Sequence, residues 1–185
     1  MPRQVIATTY ITLDGYIDEP GLWSFDFWSE EAAQYKAREL FASDAQLLGR
    51  ITYEGFASAW PTMQGTGEFG EKMNSMPKYV ASRTLESASW NATVITGDVA
   101  EAVRELKQEG GGDLLIGGSG TLIDYLTVHD LIDEYRMMIC PVVLGEGTRR
   151  LFNGVPRRTF TLAESKALPH GVLINTYHPA APTAA

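Results

Sequence analysis

The stretch Leu114–Leu126, LLIGGSGTLIDYL, sets three apolar residues before Gly117-Gly118-Ser119-Gly120 and then a run able to start a helix. A strand that ends in glycines and continues as a helix is a building unit of an α/β fold. One turn rarely needs three glycines. Two accounts fit the surplus. Glycine lets a bulky ligand lie against the main chain, and the helix's first N–H groups and its dipole favour an anion there. Ser119 adds a hydroxyl donor. The other account is a tight strand-to-helix connection that needs positive φ. The tetrapeptide has neither the spacing of a GxGxxG fingerprint nor the GK[ST] of a P-loop.

The same kind of junction occurs twice more. Leu47-Leu48-Gly49-Arg50-Ile51-Thr52-Tyr53-Glu54 again joins an apolar strand to a helix start. Thr52 suits an N-cap. Arg50 is harder to explain, because a cation at a helix N-terminus opposes the dipole unless an anion is present. In Tyr79-Val80-Ala81-Ser82-Arg83-Thr84 a strand ends in a hydroxyl and a guanidinium, the pair suited to a phosphate monoester. An exposed turn is the plain alternative. Ligands of open α/β sheets gather at the carboxyl ends of strands, so the three junctions can converge on one extended ligand. A dinucleotide with a pyrophosphate and an extra 2′-phosphate would engage them all.

Outward from these junctions, strands are predicted at Val5–Ile11, Ala45–Leu48, Lys78–Ala81, Ala92–Ile95 and Asp113–Ile116. Tyr135–Leu144 is apolar at nearly every position, which predicts a long central strand covered on both faces. Phe160–Glu164 and Val172–Tyr177 form a closing hairpin around Pro169-His170-Gly171. Ser29 caps a helix to about Ala42, with Ala33, Ala37, Leu40 and Phe41 on one face. Further helices run from Thr52 to before Trp60-Pro61, along Val99, Val103 and Leu106 to the Gly110-Gly111-Gly112 stop, and after Gly120 to about Thr127. Residues 60–77 read as a partly mobile loop. The mostly β-α-β order predicts a three-layer α/β/α sandwich on a mixed sheet. Residues 1–178 make one domain and 179–185 a disordered tail.

The 185 residues, 44% apolar and 21% charged, suit one soluble domain with a substantial core. A formal charge of −8 argues against a nucleic-acid partner, which would need Lys and Arg to neutralise phosphates. The single Cys140 excludes a disulfide framework and reads as a buried, inert thiol. His129, His170 and His178 are too scattered for a metal site, and no serine sits in a GxSxG elbow. No run has the length of a membrane span, and the threonine-broken N-terminus reads as a strand rather than a leader. The expected setting is cytoplasmic and reducing.

The motifs Thr12-Leu13-Asp14-Gly15, Leu48–Glu54, Lys78–Thr84, Ile116–Leu122 and Pro141-Val142-Val143-Leu144-Gly145-Glu146-Gly147, in this order, resemble the dihydrofolate reductase-like superfamily. The closer resemblance is to bacterial dihydrofolate reductase family proteins and to the reductase domain of riboflavin-biosynthesis enzymes. It runs from Val5 to about His178. It implies a mixed eight-stranded sheet, NADPH across the strand ends, a small-molecule substrate and a homodimer. By position, Gly49, Arg50, Ile51 and Thr52 would hold one side of the phosphates. Gly117, Gly118, Ser119, Gly120, Thr121 and Leu122 would cradle the pyrophosphate from the other. Ser82 and Arg83 would take the 2′-phosphate, and Thr9–Ile11 with Ile17 would border the nicotinamide.

For the reaction, Asp14 matches the Asp of the riboflavin-type SLDG motif and is the candidate polar group near the hydride. Equally, it only ties its Asp-Gly turn. True dihydrofolate reductases carry a proline-containing segment and then a carboxylate at the head of the first helix. Here Gly21–Glu30 lacks the proline step, and the carboxylate is Asp26, Glu30 or neither. Trp23, with Phe25, Phe27 and Trp28, would wall a flat ring or simply pack the loop. A reductase of a pterin- or pyrimidinone-like heterocycle, or of a related carbonyl or imine, is therefore expected. A non-catalytic NADPH-binding sensor or sequestering protein is the alternative.

Overall fold

A computed structural model describes residues 2–180. Its centre is β1 (Val5–Thr12), hydrogen-bonded in parallel to β5 (Asp113–Gly117) on one side and β6 (Glu134–Cys140) on the other. Beyond β5 lie β2 (Ser43–Gly49), β3 (Lys78–Ala81) and β4 (Ala92–Ile95), all parallel. Beyond β6 the hairpin of β7 (Phe160–Ala167) and β8 (Leu173–Pro179) is added antiparallel through β8. The eight strands run in the order β4-β3-β2-β5-β1-β6-β8-β7.

Among the described residues, five α-helices cover the two faces: α1 (Glu30–Ala42), α2 (Arg50–Ala59), α3 (Gly67–Ser75), α4 (Val99–Gln108) and α5 (Gly120–Val128). Strand alternation divides β1 between them. Val5 and Ala7 join Leu47, Leu114 and Ile116 in a core with Val103 and Leu106 of α4 and Leu122, Ile123 and Leu126 of α5. Ile6 faces the other way, packing with Leu40 of α1, Met73 of α3 and Leu115. The layered sandwich and the mixed sheet are those predicted. No helix among the described residues is long and apolar enough to cross a membrane.

Several local expectations are corrected. Residues 60–77 are not a loop, since they hold a 3-10 turn at Trp60–Thr62 and the helix α3. Gly67 and Gly70 hid this helix in the sequence. Gly70 is needed because a Cβ there would lie 1.9 Å from Thr66 Oγ1, while Met73 is buried and Phe69 packs on Trp60. The strand β6 stops at Cys140 rather than Leu144 and is only alternately buried. Pro141 follows and lacks the N–H that a ladder needs. On α1, Glu39 is buried and Phe41 is about half exposed, the reverse of their hydropathy. Gly49, not Thr52, is the N-cap of α2, so Thr52 lies in its first turn. β8 reaches Pro179 and the Ala180 amide donates to Thr159 O at 3.0 Å, so the domain extends past 178. The rest of the predicted tail, 181–185, lies outside the described residues.

Candidate functional site

β2 and β5 are sheet neighbours running the same way, so the turns that leave them emerge side by side. The Gly49 amide donates to Ser119 Oγ at 3.0 Å, and the Gly118 amide donates to Thr8 O at 3.1 Å. Gly118 and Ser119 both adopt the left-handed conformation, with φ of 63° and 55°. A Cβ on Gly118 would touch Thr52 at 3.9 Å. The start of α5 is covered even more closely, since a Cβ on Gly120 would lie 2.5 Å from both Ile17 Cδ1 and Arg149 Nε. The glycines thus answer two needs, positive φ at Gly118 and close approach at Gly120.

Helices α2 and α5 both begin without a side-chain cap, whereas Ser29 caps α1 and Asp98 caps α4. Their first N–H groups therefore have no acceptor from a cap side chain, as is also true of α3. Around this junction the predicted residues divide. Arg50 is exposed, and its guanidinium bonds both carboxylate oxygens of Glu54 at 3.1 and 2.9 Å, which answers its charge at the helix start without a ligand. Ile51 is 77% exposed. Thr121 is exposed, but Leu122 turns into the core, so only its backbone is available to a ligand. Ser82 Oγ accepts from the Thr84 and Leu85 amides at 3.2 and 3.0 Å, closing its own turn beyond β3, and Arg83 beside it is exposed.

A strap at residues 144–151 closes over the β1 exit. Asp14 accepts from Thr12 Oγ1 at 2.6 Å, from the Gly145 amide at 2.8 Å and from the Leu144 amide at 3.3 Å. The Thr12 hydroxyl first, then these amides, hold its carboxyl below the usual range. A carboxylate so committed is an anchor and a poor proton donor near neutrality. Asp18 accepts from the Thr148 amide and hydroxyl at 2.9 and 2.8 Å and from the Arg149 amide at 3.2 Å. Desolvation pushes its pKa up, and these bonds outweigh it to hold the group low. Ile17 bonds the strap through its amide to Arg149 O at 3.1 Å. Tyr16 packs its ring where a Gly147 Cβ would sit. The sequence reading stopped its last motif at Gly147 and missed Arg149. No local signal could have found it, because Asp14 and Asp18 lie some 130 residues from the segment they hold.

On the α1 face of β1 lies a buried charged group. Lys36 Nζ donates to Thr8 Oγ1 at 2.6 Å and to Glu39 Oε2 at 2.8 Å, and sits 4.9 Å from the Tyr10 ring centroid. Arg136 NH1 stands 3.6 Å from the other Glu39 oxygen. Desolvation lowers the Lys36 pKa, but the Glu39 carboxylate outweighs it and raises the value. None of this was read from the sequence.

The predicted substrate residues are arranged otherwise. Trp23 is buried and its indole donates to Asp18 O at 3.0 Å, so it packs the loop and offers no open wall to a ring. Asp26 is exposed in the 3-10 turn Phe25–Phe27. Glu30 is exposed at the head of α1 and accepts from Gln34. Neither is hydrogen-bonded to the strand-end junction. Cys140 is buried, and burial pushes its thiol up to about 11, as an inert thiol requires.

The RibD C-terminal domain family matches residues 3–174. The uncharacterized Bacillus subtilis (strain 168) protein YyaP is 27% identical over 190 residues, covering 95% of each chain. A putative riboflavin biosynthesis protein from Shewanella sp. PV-4 has a similar fold, with a TM-score of 0.75 at 21% identity, over 98% of this chain and all of that one. Dihydrofolate reductase from Enterococcus faecalis, solved with NADP(H), superposes with a TM-score of 0.65 at 15% identity, over 95% and 96% of the two chains. The fold is therefore dihydrofolate reductase-like, and the chain belongs to the RibD C-terminal domain family.

Proposed function

We propose that the protein is an NADPH-dependent reductase of a small planar heterocycle, pterin- or pyrimidinone-like, or of a related carbonyl or imine compound. The observation that carries this reading is the Gly49–Ser119 contact, which sets the uncapped starts of α2 and α5 against each other at neighbouring strand ends. Two uncapped helix N-termini at neighbouring strand ends suit a doubly charged pyrophosphate. Gly49 to Thr52 hold one side, and the backbone of Gly117 to Thr121 holds the other. Exposed Arg83 is free to meet a 2′-phosphate. A reduced nicotinamide supplies the hydride when bound. Ile17, fixed against Gly120, would orient the ring. The solved relative that carries NADP(H) supports the choice of cofactor.

Thermal melting with NADPH, with NADH and with neither tests the reading. NADPH at about a hundred times its Kd adds roughly 2.7 kcal/mol, a clear rise in Tm. No shift at saturating NADPH would reject it. A second reading, binding without turnover, draws on Asp14, whose carboxylate is occupied by the strap. Loss of reduced-nicotinamide absorbance against a panel of pterins, pyrimidinones and quinones separates the two. A homodimer belongs to the same proposal on the family resemblance, and light scattering of the purified chain measures it.

A further inference from the structure

We infer that a second copy of this chain packs, sheet against sheet, on the open face of β6, β8 and β7. This gives the homodimer proposed above a surface and rests on that part of the reading, independently of the cofactor. The strand registers set out the face row by row. Ile11 of β1 lies beside Ile139 of β6, Ile139 beside Leu173 of β8, and Leu173 beside Ala167 of β7. The next row is Thr9, Met137, Asn175 and Ser165. In the row beyond, Phe152 and Phe160 pack on Tyr135, and Leu162 stands at the outer strand. Ile11 and Ile139 are only partly buried and pack against none of the buried cores. Leu173 is 41% exposed and Leu162 51%.

A sheet face that meets water ordinarily turns its apolar residues inward and its charges outward. Here that order is inverted. The charged residues of β6 and β7 are Glu134, Arg136, Glu164 and Lys166, and their registers with Ile6, Thr8, Thr176 and Ile174 put all four on the opposite, α1 face. The open rows hold no charged side chain, in a chain of formal charge −8. This selects the partner. A two-fold interface sets a patch against the same patch, so any net charge on it would meet its own like. An uncharged face is therefore self-complementary, and charge depletion with apolar enrichment is the mark of homodimer interfaces. The polar side chains on the face are paired with one another. Ser165 Oγ donates to Asn175 Oδ1 at 2.7 Å, and Asn175 Nδ2 donates to the Tyr177 hydroxyl at 3.3 Å. Covering them leaves those bonds in place, as burial requires.

Sedimentation velocity of the full-length protein over a range of concentrations tests this, with Leu162→Lys, Leu173→Lys and the double variant. Both positions are exposed in the single chain, so the monomer tolerates lysine there, whereas a partner would bury the ammonium. The wild type should sediment as a dimer. Each lysine should raise the dimer dissociation constant about a hundredfold, and the double variant should be a monomer. Leu22→Lys, at a position 77% exposed on the loop before α1, should stay dimeric. Far-UV circular dichroism, with a Tm that no longer varies with protein concentration, identifies a folded monomer. Dimers untouched by either lysine would overturn the assignment of the face and leave the homodimer standing. So would an equal loss of dimer in Leu22→Lys. A wild type that is monomeric at every concentration would end the homodimer and the inference together, and NADPH binding by that monomer would leave the cofactor reading intact.

Discussion

Ser119 Oγ accepts a hydrogen bond from the Gly49 amide at 3.0 Å, joining two turns that lie 70 residues apart in the chain. Ser119 adopts φ 55° to do so, a left-handed conformation that disfavours a side chain. The bond and the strain oppose one another at a similar size, about 1 kcal/mol each. Ser119→Gly should therefore leave stability nearly unchanged, whereas Ser119→Ala, which keeps the strain and loses the bond, should cost about 1 kcal/mol. Urea denaturation of the two variants measures the difference. Glycine less stable than alanine would show that left-handed strain at this position is not what glycine relieves.

The strap should loosen in acid. Asp14 and Asp18 both have folded-state pKa values below the ordinary 3.8. A depressed carboxyl contributes stability that is present above 3.8 and is lost as pH falls below it through the folded value. Proteolysis between residues 144 and 151 should accelerate over that window in the wild type. Asp14→Asn and Asp18→Asn should each flatten the response, and cleavage independent of pH in the wild type would refute the assignment.

Glu39 is 3% exposed and its Lys36 partner 11%. Breaking a buried pair leaves one charge uncompensated, a loss of about 3–5 kcal/mol, whereas replacing both partners by apolar residues is often neutral. Glu39→Leu should fall in that range, and the double variant Glu39→Leu with Lys36→Met should recover most of the stability. Additive losses in a double-mutant cycle would show that the two groups do not act as a pair.

Arg83→Ala should weaken NADPH about ten- to a hundredfold while leaving NADH nearly unchanged, because a charge-assisted contact is worth about 1.5–3 kcal/mol. Isothermal titration with both dinucleotides reads this directly. Equal losses would remove the 2′-phosphate role.

The sheet was legible because most of its strands are short runs rich in apolar and β-branched residues, several of them, such as β2, β5 and β6, closed by glycine or proline. Lys78–Ala81 and Ala92–Ile95 match the structure to the residue. Helix α3 was not legible, because Gly67 and Gly70 read as breakers, while the Thr66 contact that requires Gly70 and the Trp60–Phe69 contact that seats the helix arise only in packing. Gly49 and Ser119 were each visible as strand-end residues, but the bond between them depends on β5 inserting beside β2, which periodicity does not encode. Lys36 and Glu39 were invisible for a related reason. Charged residues three apart on a helix usually mark a wet face, and only the threonine and arginine of two distant strands turn this one inward.

The central placement of β1 also sets the order in which the protein can be made. Val5 pairs with Leu114 and Thr12 with Cys140, so β1 waits, once synthesised, for more than a hundred further residues before either flank exists. Until then Val5, Ile6 and Ala7 have no permanent cover, and closure is a late, non-local event of the slow kind. Nascent chains that stall before residue 134 should be the aggregation-prone species, because one whole side of the first strand has yet to be synthesised.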